Sequence, residues 1–168
     1  MDQDPDGPDK ERNESEAERE DRKYDDLLQE LRVIQTSAQL TAGFLLTLPF
    51  QQRFSELSTG QERFYFALVF LAALVIAVVL SPVALHRQLS GLRVKGVLVA
   101  AAHTFVQVAL ALLCLLAAGI VTFIFDVVVD RTAAIIVGAA LLVVLAGLMV
   151  VVPRTLVARA RAEAQAAR

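Results

Sequence analysis

Apolar residues fall into four blocks along this chain, parted by short polar stretches. The blocks cover residues 31–50, 64–85, 96–125 and 132–152. Each is near or above the roughly 20 residues a helix needs to cross a bilayer, so the pattern predicts four transmembrane helices. The second and third blocks carry no formal charge. The third is long enough, at about 1.5 Å per residue, to exceed a hydrocarbon core of about 30 Å, so it must tilt or project. Proline punctuates the ends. Pro49 closes the first block where a helix stops cheaply, Pro153 closes the fourth, and Ser81-Pro82 is expected to end or kink the second. The connections 51–63, 86–95 and 126–131 are short, which makes neighbouring helices antiparallel. The predicted fold is all-α: a polytopic membrane protein built as an antiparallel four-helix transmembrane bundle over residues 24–152.

The first block is the least apolar. On a helix, Arg32, Gln35, Thr36, Gln39, Gly43 and Thr47 fall within about 60° of Arg32, forming one polar stripe. The other face carries Leu40, Leu45 and Leu48, with Val33 and Phe44 towards the flanks. Amide side chains are costly in lipid unless they find partners, so the stripe must face protein or water. Two readings follow. Gln and Thr could bond across helices, with Gly43 permitting close approach. Alternatively, several copies could set their stripes around a shared axis and line a path for ions, protons or a small polar solute.

Charge is divided between two unlike parts. Residues 1–26 hold 12 of the 18 acidic residues and almost no aliphatics. Residues 1–23 cannot bury enough apolar surface to offset their conformational entropy, so they are expected to form a disordered acidic head. Ordering should begin near Tyr24, where Leu27, Leu28 and Leu31 introduce helical spacing. Beyond the head the chain is basic, and the cations are unevenly placed. Arg19, Arg22, Lys23 and Arg32 precede the first span; Arg87, Arg93 and Lys95 sit in the second connection; Arg154, Arg159, Arg161 and Arg168 lie in the tail. The other side has Arg53, Arg63 and Arg131. This bias puts both termini in the cytoplasm of a multi-pass protein of the cell's inner membrane. The acidic start lacks the basic-then-apolar pattern of a signal peptide, so the first block is expected to remain as a span. Residues 153–168 read as a basic cytoplasmic helix at the membrane surface.

Overall composition agrees: 56% hydrophobic residues and a mean hydropathy of +0.56 exceed the ~45–50% apolar share of soluble domains. Candidate chemistry is sparse. His103 and Gln107 form an i, i+4 pair inside the third block, with Thr104 beside them. A histidine there would suit a pH sensor or proton relay, or a neutral ring bonded to a neighbouring helix. Arg87, Arg93 and Lys95 could hold anionic lipid head groups, or simply satisfy the topology rule. Glu56, Glu62, Asp126 and Asp130 face the outer side as cation concentrators, solvated loop residues or caps, and Asp130 fits the N-cap of the fourth helix. Phe50, Phe54, Phe64, Tyr65 and Phe66 resemble an interfacial aromatic belt. The small residues of the fourth block, Gly138, Ala139, Ala140, Ala146 and Gly147, make no clean GxxxG repeat.

Cys114 stands alone and reads as a small hydrophobe, so no disulfide or thiolate metal site is expected. No metal signature, phosphate loop or hydrolase motif occurs, and neither cofactor, enzymatic activity nor nucleic-acid partner is expected.

The stretches Leu31-Arg-Val-Ile-Gln-Thr, Phe44-Leu-Leu-Thr-Leu-Pro-Phe-Gln-Gln-Arg-Phe54 and Ser81-Pro-Val-Ala-Leu-His-Arg87 resemble a family of small bacterial four-span membrane proteins of unknown function. The resemblance runs from about residue 30 to 129. It implies the membrane architecture and supplies no catalytic residues. Some members are labelled sodium:proton antiporters, but between Leu31 and Phe125 the acidic residues are only Glu56 and Glu62, both in a connection. A small homo-oligomeric channel or transporter, with the first span lining the path, is the leading expectation. The alternative is a non-conducting scaffold or accessory subunit whose residues 1–23 recruit a cytoplasmic protein.

Overall fold

A computed structural model describes residues 16–89 and 95–166. All its regular elements are helical among the described residues. The long helices are α1 (Glu16–Thr47), α2 (Thr59–Leu89), α3 (Lys95–Val128), α4 (Arg131–Ala146) and α5 (Val152–Ala166). Residues 1–15, with most of the expected acidic head, lie outside the described residues. Helix begins at Glu16 rather than near Tyr24, because nothing between the charged residues 16–23 breaks a helix that residues 24–47 already nucleate.

Helices α1, α2 and α3 pack against one another, and α4 packs on α3. The shared core runs through Leu31, Ile34, Ala38 and Leu45 of α1, then Tyr65, Leu68, Ala72, Val75 and Val79 of α2. Val106, Ala109, Leu116 and Phe123 complete it from α3. Three helical stretches are long and apolar enough to cross a membrane: Thr59–Leu85, Ala101–Val128 and Arg131–Gln165. Helix α1 has the length, but its polar stripe keeps it below that apolarity. Large apolar side chains cover the outside of the bundle, among them Phe70, Ile124 and Val143. This protein is a membrane protein: lipid, not water, is the solvent such a surface calls for.

Each proline behaves differently. Pro49 sits in a 3₁₀ turn, Leu48–Phe50, and α1 ends before it. Lacking an N–H, Pro49 leaves the carbonyl of Leu45, four residues earlier, without its helical donor. The Tyr65 hydroxyl fills the vacancy, donating to Leu45 O at 2.8 Å. Tyr65 is therefore a core residue, 1% exposed, and does not belong to an interfacial belt. Its ring packs edge-on to Phe54, with centroids 5.1 Å apart. Phe50, by contrast, is 87% exposed. Helix α2 does not end at Pro82, which is buried, but continues to Leu89. The Ser81 hydroxyl bonds back to Ala77 O at 2.9 Å in the same turn. Neighbouring helices and Ser/Thr hydroxyls make proline tolerable in such a setting.

Pro153 does not end the fourth helix either. A π turn, Gly147–Val151, joins α4 to α5, and Val152 N–H donates to Gly147 O across it. The wider turn gives the proline ring room where an α-helical carbonyl would collide with it. The tail is thus the continuation of the fourth helix and not a separate helix after a stop.

Helix α4 joins the bundle through small residues. Ala134 and Gly138, four apart, are buried. A Cβ on Gly138 would collide with the Thr122 hydroxyl of α3. Ala118, one turn before Thr122, is 1% exposed and stands apart from the main core. The small-residue signal that the sequence left indistinct is thus Gly138, four residues after the buried Ala134, against Thr122 of α3. Helix α4 is otherwise peripheral: 6% of its most apolar stretch is buried, against 28% for α2 and 22% for α3.

Candidate functional site

The buried face of α1 is set by Leu31, Ile34, Ala38 and Leu45, with Ala42 and Leu48 half-buried beside them. That choice turns the polar stripe away from the bundle. Arg32, Thr36, Gln39, Gly43 and Thr47 are exposed, and Gln35 is half-buried at the edge. Leu40, Val33 and Phe44 are also outward, 64%, 66% and 67% exposed. The expected face opposite the stripe is therefore only partly the packed face: Leu45 and Leu48 join the core, whereas Leu40 shares the outer side with the stripe.

The hydroxyls of α1 are occupied locally. Thr36 Oγ1 donates to Arg32 O at 2.9 Å and Thr41 Oγ1 to Ser37 O at 2.8 Å. Thr47 Oγ1 donates to Phe44 O at 2.7 Å. Such back-bonding spends the hydroxyl proton within the helix and leaves an acceptor oxygen facing outward. The amides of Gln35 and Gln39 and the guanidinium of Arg32 make no hydrogen bond or ion pair with the described residues. Gly43 has open space around it, so it permits no close approach within the chain. Apart from Tyr65 and its hydroxyl, no polar or charged side chain is buried among the described residues.

His103 and Gln107 also lie on an exposed face. Gln107 Nε2 and His103 Nε2 are 3.0 Å apart; with the amide donating, the ring accepts at Nε2. Beside α1, an apolar groove of about 610 Å³ opens between α1 and α3, edged by Thr41, Phe44, Thr47 and Leu48 from one side and Ile120 and Val127 from the other.

Of the basic connection, Arg87 is exposed in the last turn of α2 and Lys95 starts α3. Arg93 lies outside the described residues, as does Arg168 at the end of the tail. On the other side, Asp130 caps α4, its carboxylate accepting from Ala133 N–H at 2.9 Å, as its position before the fourth block indicated. Glu56 lies 4.0 Å from Arg53 in an exposed 3₁₀ turn. Ser58 and Gln61 form a capping box at the start of α2: Gln61 Oε1 accepts from Ser58 N–H at 3.0 Å, and Ser58 Oγ accepts from Gln61 N–H at 3.4 Å. Gln61 Nε2 also donates to Asp126 O of α3 at 3.1 Å. Sequence reading passed over this box, although Ser-x-x-Gln before an apolar run is its signature.

Residues 13–153 match the family of unknown function DUF6328. The chain belongs to this family. The match extends the resemblance at both ends, taking in part of the acidic segment and the fourth helix up to Pro153. No curated protein and no solved structure matches the chain. Membership in DUF6328 thus brings no activity, ligand or site residue with it, and the features that bear on function are those of the bundle itself.

Proposed function

We propose that this DUF6328 member is a small homo-oligomeric channel or transporter of the cell's inner membrane, in which α1 of several copies lines a shared path. The supporting observation is the pair of amides, Gln39 on the outward side of α1 and Gln35 at its edge, that have no partner among the described residues of an apolar bundle. A primary amide in hydrocarbon without a partner costs several kcal/mol, of order 2–7 by transfer measurements. Water in a path between copies, or the same stripe on another copy, removes that cost. Apart from the Tyr65 hydroxyl, which is bonded to Leu45 O, the core of one copy holds no buried polar side chain among the described residues, which favours a path between chains over one within a chain. Arg32 stands at the cytoplasmic end of the stripe, and His103 supplies an exposed imidazole on α3.

The test is ion flux from liposomes holding the purified protein, with membrane potential set and cation, anion and proton gradients varied in turn. Selective flux that falls at least tenfold on Gln35→Leu/Gln39→Leu is expected. Flux unchanged by that double substitution, in inserted protein, sinks the assignment. Cys114 is the one cysteine, so Gln39→Cys in a Cys114→Ser background reports oligomers directly: oxidation should yield disulfide-linked dimers.

A second reading has its own support. Helix α1 continues without a break from the stripe into the charged segment that starts at Glu16. That continuity suits a non-conducting scaffold or accessory subunit whose stripe binds partner helices and whose residues 1–23 recruit a cytoplasmic protein. No flux under any gradient, together with a heteromeric complex lost on deleting residues 1–23, would establish that role instead.

A further inference from the structure

A second polar feature lies apart from α1. The ends of α2, α3 and α4 enclose a crevice of about 260 Å³, far more than the roughly 10–15 Å³ that admits one water. Ser58 lines it just before α2, Gln61 and Phe64 from α2, Thr122 and Asp126 from α3, and Arg131 from α4. The crevice holds one carboxylate and one guanidinium. Asp126 and Arg131 do not pair with each other, and neither side chain has another partner among the described residues. Their backbones are held: Gln61 Nε2 bonds Asp126 O at 3.1 Å, and the Asp130 cap fixes the start of α4. Opposite charges in one concavity, fixed on separate helices and left unpaired, match a ligand that carries both charges itself.

We infer that this crevice binds a zwitterionic headgroup bearing a primary ammonium and a phosphate, that of a phosphatidylethanolamine-type lipid. The ammonium faces Asp126, with the Phe64 ring as an aromatic neighbour for the cation. The hydroxyl proton of Thr122 is already given to Ala118 O at 2.8 Å, so its oxygen remains as an acceptor for an ammonium N–H; Ser58 Oγ, which donates to Gln61 Oε1 at 3.1 Å and accepts from Gln61 N–H, keeps one lone pair. The phosphate faces Arg131, whose planar fork suits phosphate oxygens. A lipid, and not a soluble zwitterion, is the occupant because of depth. The apolar stretches of α2 and α4 begin at Thr59 and Arg131 and that of α3 ends at Val128, which puts the crevice at headgroup level. Ile135 at its edge continues onto the exposed apolar face of α4, along which an acyl chain can lie.

The site does not depend on conduction through α1. It is tested on the full-length protein in detergent, by native mass spectrometry after incubation with equimolar phosphatidylethanolamine, phosphatidylcholine and phosphatidylglycerol. Phosphatidylethanolamine should be retained at least tenfold over phosphatidylglycerol, with phosphatidylcholine between them because its ammonium has no N–H to donate. Asp126→Asn should abolish that preference, and Arg131→Gln, which meets the phosphate that all three lipids carry, should lower retention of all three at least tenfold. Arg131 is exposed and its side chain makes no hydrogen bond or ion pair with the described residues, so its variant is expected to fold and tests the phosphate contact even where Asp126→Asn does not fold. Equal retention of the three lipids, a preference that survives Asp126→Asn in folded protein, or phosphatidylethanolamine retention unchanged by Arg131→Gln overturns the site. Glycerophosphoethanolamine, free of acyl chains, should bind at least a hundredfold more weakly than the lipid; equal binding overturns the lipid assignment and makes the ligand a soluble zwitterion.

Discussion

Tyr65 and Pro49 are sixteen residues apart and solve one problem. Proline ends α1 cheaply but leaves Leu45 O without its helical N–H, and the Tyr65 hydroxyl replaces it at 2.8 Å. A buried carbonyl deprived of its donor costs about 1–3 kcal/mol. Tyr65→Phe is therefore expected to lower stability by about that amount, read by reversible unfolding in mixed detergent. In a Pro49→Ala background the restored backbone N–H at position 49 can bond Leu45 O, so the same change should cost less than half as much. Equal costs in both backgrounds would mean that the ring, not the hydroxyl, carries the effect. Reading from sequence placed Tyr65 in an aromatic belt beside Phe64 and Phe66, because composition and position alone do not distinguish an aromatic with a buried carbonyl to satisfy from one facing head groups. Asp130 was legible for the opposite reason. Its capping bond is local, three residues long, and needs no tertiary partner.

At the scale of elements, the four apolar blocks announced four helices, and their ends were the less predictable part. Proline rules favour a stop at Pro82 and Pro153, yet the helix runs through both positions. At Pro82 the surrounding helices bury the ring, and at Pro153 a π turn absorbs it. The junction of α3 with α4 rests on Gly138, where Thr122 leaves no space for a methyl group. Gly138→Ala should destabilise the protein by about 1–3 kcal/mol through overpacking. Adding Thr122→Ala should recover most of the loss by vacating the space that the new methyl takes, and Gly43→Ala, in open surroundings, should be neutral in the isolated chain. Both are read in the same unfolding assay. Absence of rescue would show that Thr122 is not what Gly138 accommodates.

For the whole molecule, the question is how many times the chain crosses the membrane. Three stretches are apolar enough by themselves, and if only those three cross, the start of α1 and the end of α5 lie on opposite sides. Helix α1 turns back at Pro49 and packs along α2 and α3, its Leu45 end beside Tyr65 near the start of α2. Burial against two spanning helices offsets what its stripe lacks in apolarity. Single cysteines placed by Glu20→Cys and Ala160→Cys in a Cys114→Ser background are expected to resist an impermeant thiol reagent applied to intact cells. Ser55→Cys, in the turn between α1 and α2, should react. Labelling at Glu20→Cys from outside would leave α1 as a helix that does not cross.

Helicity, the polar stripe on α1 and the cap at Asp130 were determined by the sequence alone. Each depends on residue type and on spacing along one helix, which are fixed before anything packs. Which side of α1 faces the core was decided only by the tertiary structure. The stripe and Leu40 point outward because Leu31, Ile34, Ala38 and Leu45 form the better-packing row against α2 and α3. Tertiary structure also decided the partner of Leu45 O, the collision that requires Gly138, and the meeting of Asp126 with Arg131 in one crevice. These all arise from contacts between separate helices, whose rotation about their own axes is set by mutual packing and not by any one helix's pattern.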